Sequence, residues 1–417
     1  MNPRGWCLGL AALVLAGCGA GEPVASGAVV RDSAGVAIVE NASPEWRRGE
    51  EWRLAAAPEV EIGVVEGESA YQLHDVVDAA RLSDGRIVVL NAGTHELRYY
   101  DAEGRHLVSV GGEGGGPGEF RRPSHLFRLP GDSLLVVDAS NQRLSLHDSE
   151  GRYVTSRRAP YVHGRLADGT LIQRVPIRDG HAPPAEGYAR DSVALVRIDL
   201  AELASAPAPV DRRHTASALG DTIVRMPGGE FFRIMLVGDG IIQLMNNPAP
   251  YGRQHQLVVA GERIYTGTGD RYEIAVHRPD GTLERLIRRQ VENRPVTGEL
   301  VDRFRERALE DAQSDQRRRQ VEQFLADAPF PETLPSYRSM NVDAAGNLWV
   351  ERYRAPGEEP AVRDVFDPEG RWLGAVELPA GLRVLEIGED YVLGVARDEF
   401  DVEYVRLYRI DKGRGSP

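Results

Sequence analysis

The sequence predicts an all-β chain of repeating four-strand units, and two observations carry that prediction. Between Arg86 and Tyr153 one pattern occurs one and a half times. Its parts are an apolar run (RIVVL, 86–90), an alternating run (ELRYY, 96–100), an Asp-x-x-Gly turn (Asp101 to Gly104) and a further strand (RHLVSV, 105–110). The second copy reads SLLVV (133–137), QRLSLH (142–147), Asp148 to Gly151 and RYV (152–154), with its turn about 47 residues after the first. The other observation is the glycine-rich stretch VGGEGGGPGEFRRP (110–123) that separates the two copies. Four-strand units recurring every 40–50 residues or so are the signature of propeller blades.

These residues resemble the NHL-type six-bladed β-propellers. Gly112, Gly116-Pro117-Gly118-Glu119-Phe120 and Pro123 look like the inter-blade loop of that family. Val136-Val137-Asp138, Asn141, Arg143-Leu144, Asp148 and Gly151 look like its blade body. The resemblance covers about 70 residues and implies an architecture, six four-stranded antiparallel blades, more than an activity.

The chain opens with Arg4, an apolar run from Gly5 to Gly17 and then Leu15-Ala16-Gly17-Cys18. Thirteen apolar residues are too few to cross about 30 Å of hydrocarbon as a permanent helix. The order of charge, apolar run and small residues is that of a secretory leader. Its last four residues resemble the bacterial lipobox, which implies acylation of Cys18, a signal over 1–17 and a lipidated tether over 18–30. Gly19 in place of Asp favours the outer membrane over inner-membrane retention, with the periplasm-facing membrane and the cell surface as the other places open to an exported lipoprotein. Cys7 leaves with the leader and Cys18 carries lipid, so the mature domain has neither a disulfide nor a cysteine-bound metal.

Composition narrows the partners. The net charge is −13, and losing Arg4 makes the chain one unit more acidic. Nucleic-acid affinity rests on cationic neutralisation of phosphate, so nucleic acid is not an expected partner. Membrane contact is expected through the acyl anchor alone, and the chain is expected to be a monomer.

The propeller is assigned to 31–411. The Asp32/Gly35 turn precedes VAIVE (36–40) as it would precede a fourth strand, while LRVLEI (382–387), YVLGVA (391–396) and EYVRLYRI (403–410) supply three strands at the far end. Residues 36–40 are therefore expected to complete the last blade and close the ring. Blade one is 74–110, blade two 124–158, and blade three runs from Tyr161 through SVALVRI (192–198). The runs EFFRIMLV (230–237) and IIQLM (241–245) read either as an inserted hairpin or as worn blade strands. Blade four is 256–288 and blade five 337–377. Residues 298–328 break the β pattern: helix formers dominate, apolar residues fall at helical spacing, Thr297 can cap, and Pro329 ends the run.

No nucleophile elbow, HExxH or phosphate loop is present. The glycine run 111–118 leads into Pro123 and a strand rather than a helix, so it does not read as a nucleotide loop. The aspartates at 84, 101, 148, 168, 280 and 367 are turn residues. One constellation has chemical content. His74, His125, His163 and His255 each sit near the start of an assigned inner strand, with Arg338 and Arg383 in comparable places. Converging imidazoles could hold zinc or another transition metal and activate water. The NHL-like lyase acting on peptidyl hydroxyglycine uses histidine-bound zinc, so the resemblance keeps a channel-centred lyase or hydrolase open. The calcium-dependent six-bladed lactonases mark a third possibility, without a readable carboxylate set here. The leading expectation has no cofactor: a non-catalytic scaffold at the cell envelope that binds a protein, peptide or small ligand.

Overall fold

The computed structural model of the chain describes residues 27–177, 187–198, 221–238, 241–312 and 314–413; Cys7, Cys18 and the leader lie outside them. The chain begins with the hairpin β1 (Ala28–Ser33) and β2 (Val36–Asn41), then two short strands, β3 (Arg53–Leu54) and β4 (Val60–Ile62). Ala28–Val30 therefore belong to a strand, not to the tether expected over 18–30. The first sheet is an antiparallel meander of β5 (Val76–Arg81), β6 (Ile87–Asn91), β7 (Glu96–Tyr100) and β8 (His106–Gly111). The second is β9 (Pro123–Arg128), β10 (Leu134–Asp138), β11 (Arg143–His147) and β12 (Tyr153–Arg158). The third contains β13 (Gly164–Arg165), β14 (Leu171–Ile177), β15 (Gly187–Ile198), β16 (Thr222–Gly238) and β17 (Ile241–Pro248). The fourth is built on β18 (Gln256–Ala260), β19 (Arg263–Gly267), β20 (Glu273–His277) and β21 (Leu283–Arg289). After α1 (Gly298–Glu310) and α2 (Asp315–Asp327) come the fifth sheet, β22 (Tyr337–Val342), β23 (Leu348–Arg352), β24 (Ala361–Phe366) and β25 (Trp372–Leu378), and the sixth, β26 (Arg383–Ile387), β27 (Tyr391–Arg397) and β28 (Glu403–Asp411).

The continuous apolar runs follow from burial of both sheet faces. Successive strand residues point to opposite faces. In β6, Ile87 and Val89 join a core with Leu393, Val395 and Leu407 of the sixth sheet, while Val88 and Leu90 join Leu134 and Val136 of the second. In β23, Trp349 packs with Val392 and Val384, and Leu348 and Val350 pack with Ile274 and Val276. The second and third sheets share Val137, Leu171 and Ile198, and the third and fourth share Ile172, Leu195 and Ile264. The first strands touch in succession, β5 against β9, β13 against β18, β18 against β22, β22 against β26 and β26 against β5, so they lie innermost. This is the architecture of a β-propeller.

The turns work as the sequence suggests. Asp101 accepts the backbone N–H groups of Glu103 and Arg105 at 3.1 and 2.8 Å, and Asp148 and Asp367 do the same in their own turns. The glycine-rich loop crosses from the first sheet to the second. Asn141 and Arg143 donate to the carbonyls of Gly114 and Gly115, and Phe120 is fully buried.

The expected role of residues 36–40 does not hold. Ala34 (φ 54°) and Gly35 (φ 84°) form a two-residue hairpin turn, so Ser33 pairs with Val36 and β1 folds back on β2. The free edge of β2 then pairs in parallel with β21, from Ala37 opposite Arg285 to Asn41 opposite Arg289. Buried Asn41 fixes this position: its amide donates to the carbonyls of Arg288 and Gly370, and its oxygen accepts from Trp372 N–H. The outer place beside β28 belongs to β4, with Ile62 opposite Val405, and to β3, with Leu54 opposite Ile410.

Two other elements resolve alternatives. The segment 230–245 is both blade and extension. Residues 222–227 of β16 pair with 192–196 of β15 as a fourth strand, and after a register shift β16 continues and pairs 231–238 with 241–248 of β17. The helical insertion is two helices rather than one. Thr297 caps α1 by accepting Leu300 N–H, and Ser314 restarts the chain as α2 by accepting Arg317 N–H.

Candidate functional site

The strand alternation that builds the core also places one arginine between the third and fourth sheets. In β14, Ile172 faces the fourth sheet. Arg174, two residues on, shares that face. There its guanidinium meets Nε2 of His255, one residue before β18. The backbone N–H of Arg174 donates to Nδ1 of His163 at 3.1 Å, and His163 N–H donates to the Ile172 carbonyl at 2.9 Å. The imidazole thus stands where the β13–β14 ladder would next offer a backbone acceptor. These bonds fix opposite tautomers: His163 carries its proton on Nε2 and His255 on Nδ1. Nδ1 of His255 is buried and has no partner among the described residues.

Burial, then the adjacent Arg174 charge, pushes the His163 pKa down to about 3. Burial, followed by Arg174 and Arg190, pushes His255 down to about 4. Both rings are neutral at pH 7. His125, which His163 feels electrostatically, behaves oppositely. Burial opposes its charge, but the Asp78 carboxylate, 2.6 Å from Nδ1, outweighs burial and raises the pKa. Asp78 also accepts Leu126 N–H at 2.9 Å, linking the first two sheets.

Arg174 differs from its neighbours in charge balance. Arg190 holds Asp270 with two bonds of 2.9 and 3.0 Å, and Arg253 lies 3.2 Å from Asp270 and 3.6 Å from Glu230. Arg174 has no carboxylate within ion-pair reach among the described residues. Its guanidinium has five N–H donors. Those not on His255 have no protein acceptor among the described residues and are not sealed from solvent.

The other sequence candidates fall apart from this group. His74 is exposed, and its backbone N–H donates to Asn91. Arg338 is exposed on β22. Arg383 donates to the carbonyls of Val76 and Val77, bracing the sixth sheet against the first. Cys18 lies outside the described residues. Of the four histidines, His163 and His255 therefore gather on Arg174 while His125 pairs with Asp78, and they do not gather as metal ligands usually do. A lone pair on each of His163 and His255 already accepts from Arg174, and a guanidinium lies where a cation would sit. Among the described residues no three His, Cys, Asp or Glu side chains are grouped to hold a metal ion. Sequence reasoning missed Arg174. Its only signal was a cation in the apolar run LIQRV.

The hairpin and the helices are joined to the segment that leads into His255. Tyr251, four residues before His255, donates its hydroxyl to the Leu300 carbonyl at 2.7 Å and packs on Phe304 and Phe330. Phe232 of β16 meets Phe324 of α2. Glu230 accepts Arg253 N–H at 2.8 Å, tying the hairpin to the segment that leads into His255. Between hairpin and helices lies a cavity of about 270 Å³ lined in part by Pro248, Phe304, Ala308, Val321 and Phe324.

No protein-family model matches the chain, and no curated protein matches it in sequence. Among solved structures it is similar to a Bacteroides fragilis protein inferred to be exported, at 12% identity over 90% of this chain and 99% of that one, with a TM-score of 0.46. A member of the DUF4221 family from Bacteroides vulgatus is 12% identical over 87% of this chain and 99% of the other, with a TM-score of 0.41. Virginiamycin B lyase from Staphylococcus aureus is 9% identical over 86% and 99%, with a TM-score of 0.39. The propeller assignment rests on the sheet order of this chain.

Proposed function

We propose that this chain is a closed, six-bladed propeller of the NHL type, exported and anchored at the cell envelope through Cys18, that binds a peptide or small ligand at one channel mouth without transforming it. Six sheets with an apolar core between each consecutive pair, and residues 53–62 paired with the final strand, support the closed ring. The apolar leader and the NHL-like residues between 112 and 151 support export and the NHL assignment. One observation carries the binding reading. His163 and His255 meet on Arg174, and the segment leading into His255 is joined to the β16–β17 hairpin and the helix pair. Both imidazoles already accept a hydrogen bond, so neither is free to take a substrate proton.

A second reading has its own observation. The His125–Asp78 pair, 2.6 Å apart, has the orientation of a general acid or base held by a carboxylate, as a lyase or hydrolase would use. To separate the two, the purified chain is incubated with a defined library of peptides and small acids, and the molecules that stay bound are identified by mass spectrometry. A ligand recovered unchanged after prolonged incubation is the expected result. A product that accumulates with wild type and is lost with His125→Asn overturns the binding reading in favour of the enzyme.

A further inference from the structure

Resting on that reading of the channel mouth, we infer that the Arg174–His163–His255 cluster is an anion site built for the carboxylate of a ligand. Its donors differ in kind but point to one acceptor chemistry. Arg174 offers a planar fork of N–H groups that lacks a carboxylate among the described residues, whereas Arg190 and Arg253 nearby share the two carboxylates of Asp270 and Glu230. A guanidinium fork matches a carboxylate in two parallel bonds. His163 turns its Nε2–H away from the strand, because Nδ1 is engaged by Arg174 N–H. The Nδ1–H of His255 lies on the far side of the ring from Arg174, buried and without an acceptor among the described residues, so it fixes the tautomer and is not itself a ligand donor.

The charge count selects among oxyanions. With both imidazoles neutral, the cluster carries one full positive charge, that of Arg174. His125, whose pKa is raised by Asp78, faces that carboxylate and adds no unmatched charge. One half-buried cation can match a monoanion, whereas a dianion leaves a charge uncompensated beside partly desolvated donors. A carboxylate fits and an obligate dianion such as sulfate does not. The carboxylate could belong to a small organic acid or to a peptide with a free C-terminus; the chemistry at Arg174 is the same. The cavity between hairpin and helices, lined by Asn247, Asp311, Arg317 and Gln320 as well as apolar side chains, could accommodate the rest of a longer ligand.

The test measures thermal midpoint and calorimetric binding of the full chain at pH 7 and constant ionic strength, with acetate, an N-acetyl dipeptide acid, its C-terminal amide, sulfate and chloride. Acetate and the dipeptide acid are expected to raise the midpoint above the chloride control, and sulfate and the amide are not. A tighter dipeptide acid than acetate identifies a peptide C-terminus as the source, and equal affinities identify a small acid. Arg174→Gln is expected to weaken carboxylate binding at least tenfold, and Arg174→Lys, which keeps the charge without the fork, by less. An acetate response equal to that of chloride overturns the inference, as does an unchanged response in a folded Arg174→Gln. A library ligand held equally by wild type and Arg174→Gln overturns the anion site and leaves the binding reading standing. A carboxylate response through Arg174 without any retained library ligand does the reverse.

Discussion

His163 and His255 show how position alone sets the charge of a residue. The same side chain is neutral beside Arg174 and favours its charged form beside Asp78. The consequences for stability have opposite signs. With folded values near 3 and 4, His163 and His255 stay neutral over a range where the unfolded chain, with its ordinary value near 6.5, takes up protons. Stability is therefore lost as pH falls from about 6.5 toward those values. His125 has a raised folded value, so its contribution is complete below about 6.5 and is lost as pH rises through that folded value. Urea midpoints from pH 4 to 8 are expected to fall on the acid side, and His255→Gln to flatten that fall by up to about 3 kcal/mol. An acid limb unchanged by the substitution would contradict this assignment. Two further histidines do plainer work: His147 and His277 each direct Nδ1 at the carbonyl of the glycine in their own turn, Gly151 and Gly281. Nothing in the residue type separates these from the histidines of the cluster. Arg174 escaped the sequence reading because its meaning comes from a strand face and a partner 81 residues away.

Among the elements, those with local rules were legible. The inner strands, the Asp-x-x-Gly turns and the glycine-rich crossing follow from period-two apolar patterning and positive-φ glycines, which are local properties. The hairpin β1–β2 was misplaced because Asp32/Gly35 looks like Asp101/Gly104. In the later turn, Gly104 N–H bonds Asp101 and the strand resumes at Arg105; in the first, Asp32 already pairs with Ala37 across a two-residue turn. The partner of β2, β21, lies about 245 residues away, and no local pattern names it. The helix pair is legible in kind, but its break at Ser314 is a cap that a continuous run of helix formers hides. Thr297 supplies the first cap, so Thr297→Ala is expected to cost about 1 kcal/mol. Faster amide exchange confined to α1 and to Tyr251, which bonds Leu300, would show it; uniform change across the sheets would contradict it.

For the molecule as a whole, one pattern accounts for both fold and site. Every sheet contributes to an apolar core on both faces, so its inner and middle strands are largely apolar. The chain joins its additions to one another: the extended β16–β17 hairpin and the helices α1 and α2 meet through the segment 249–255 that leads into His255. The sequence alone suggested that residues 36–40 pair with the last strands; β3 and β4 make that pairing instead, and β2 pairs with β21. The central proposal is that a neutral pair of imidazoles sits on an arginine that has no carboxylate partner among the described residues, ready for a ligand carboxylate. Nitrogen NMR of the histidine-labelled chain tests it most directly, with resonances assigned through His163→Gln and His255→Gln. At pH 5.5 the account predicts that both rings are still neutral, with His163 protonated on Nε2 and His255 on Nδ1, and that acetate moves both sets of resonances while chloride does not. Titration of either ring near 6.5, or resonances indifferent to acetate, would contradict it.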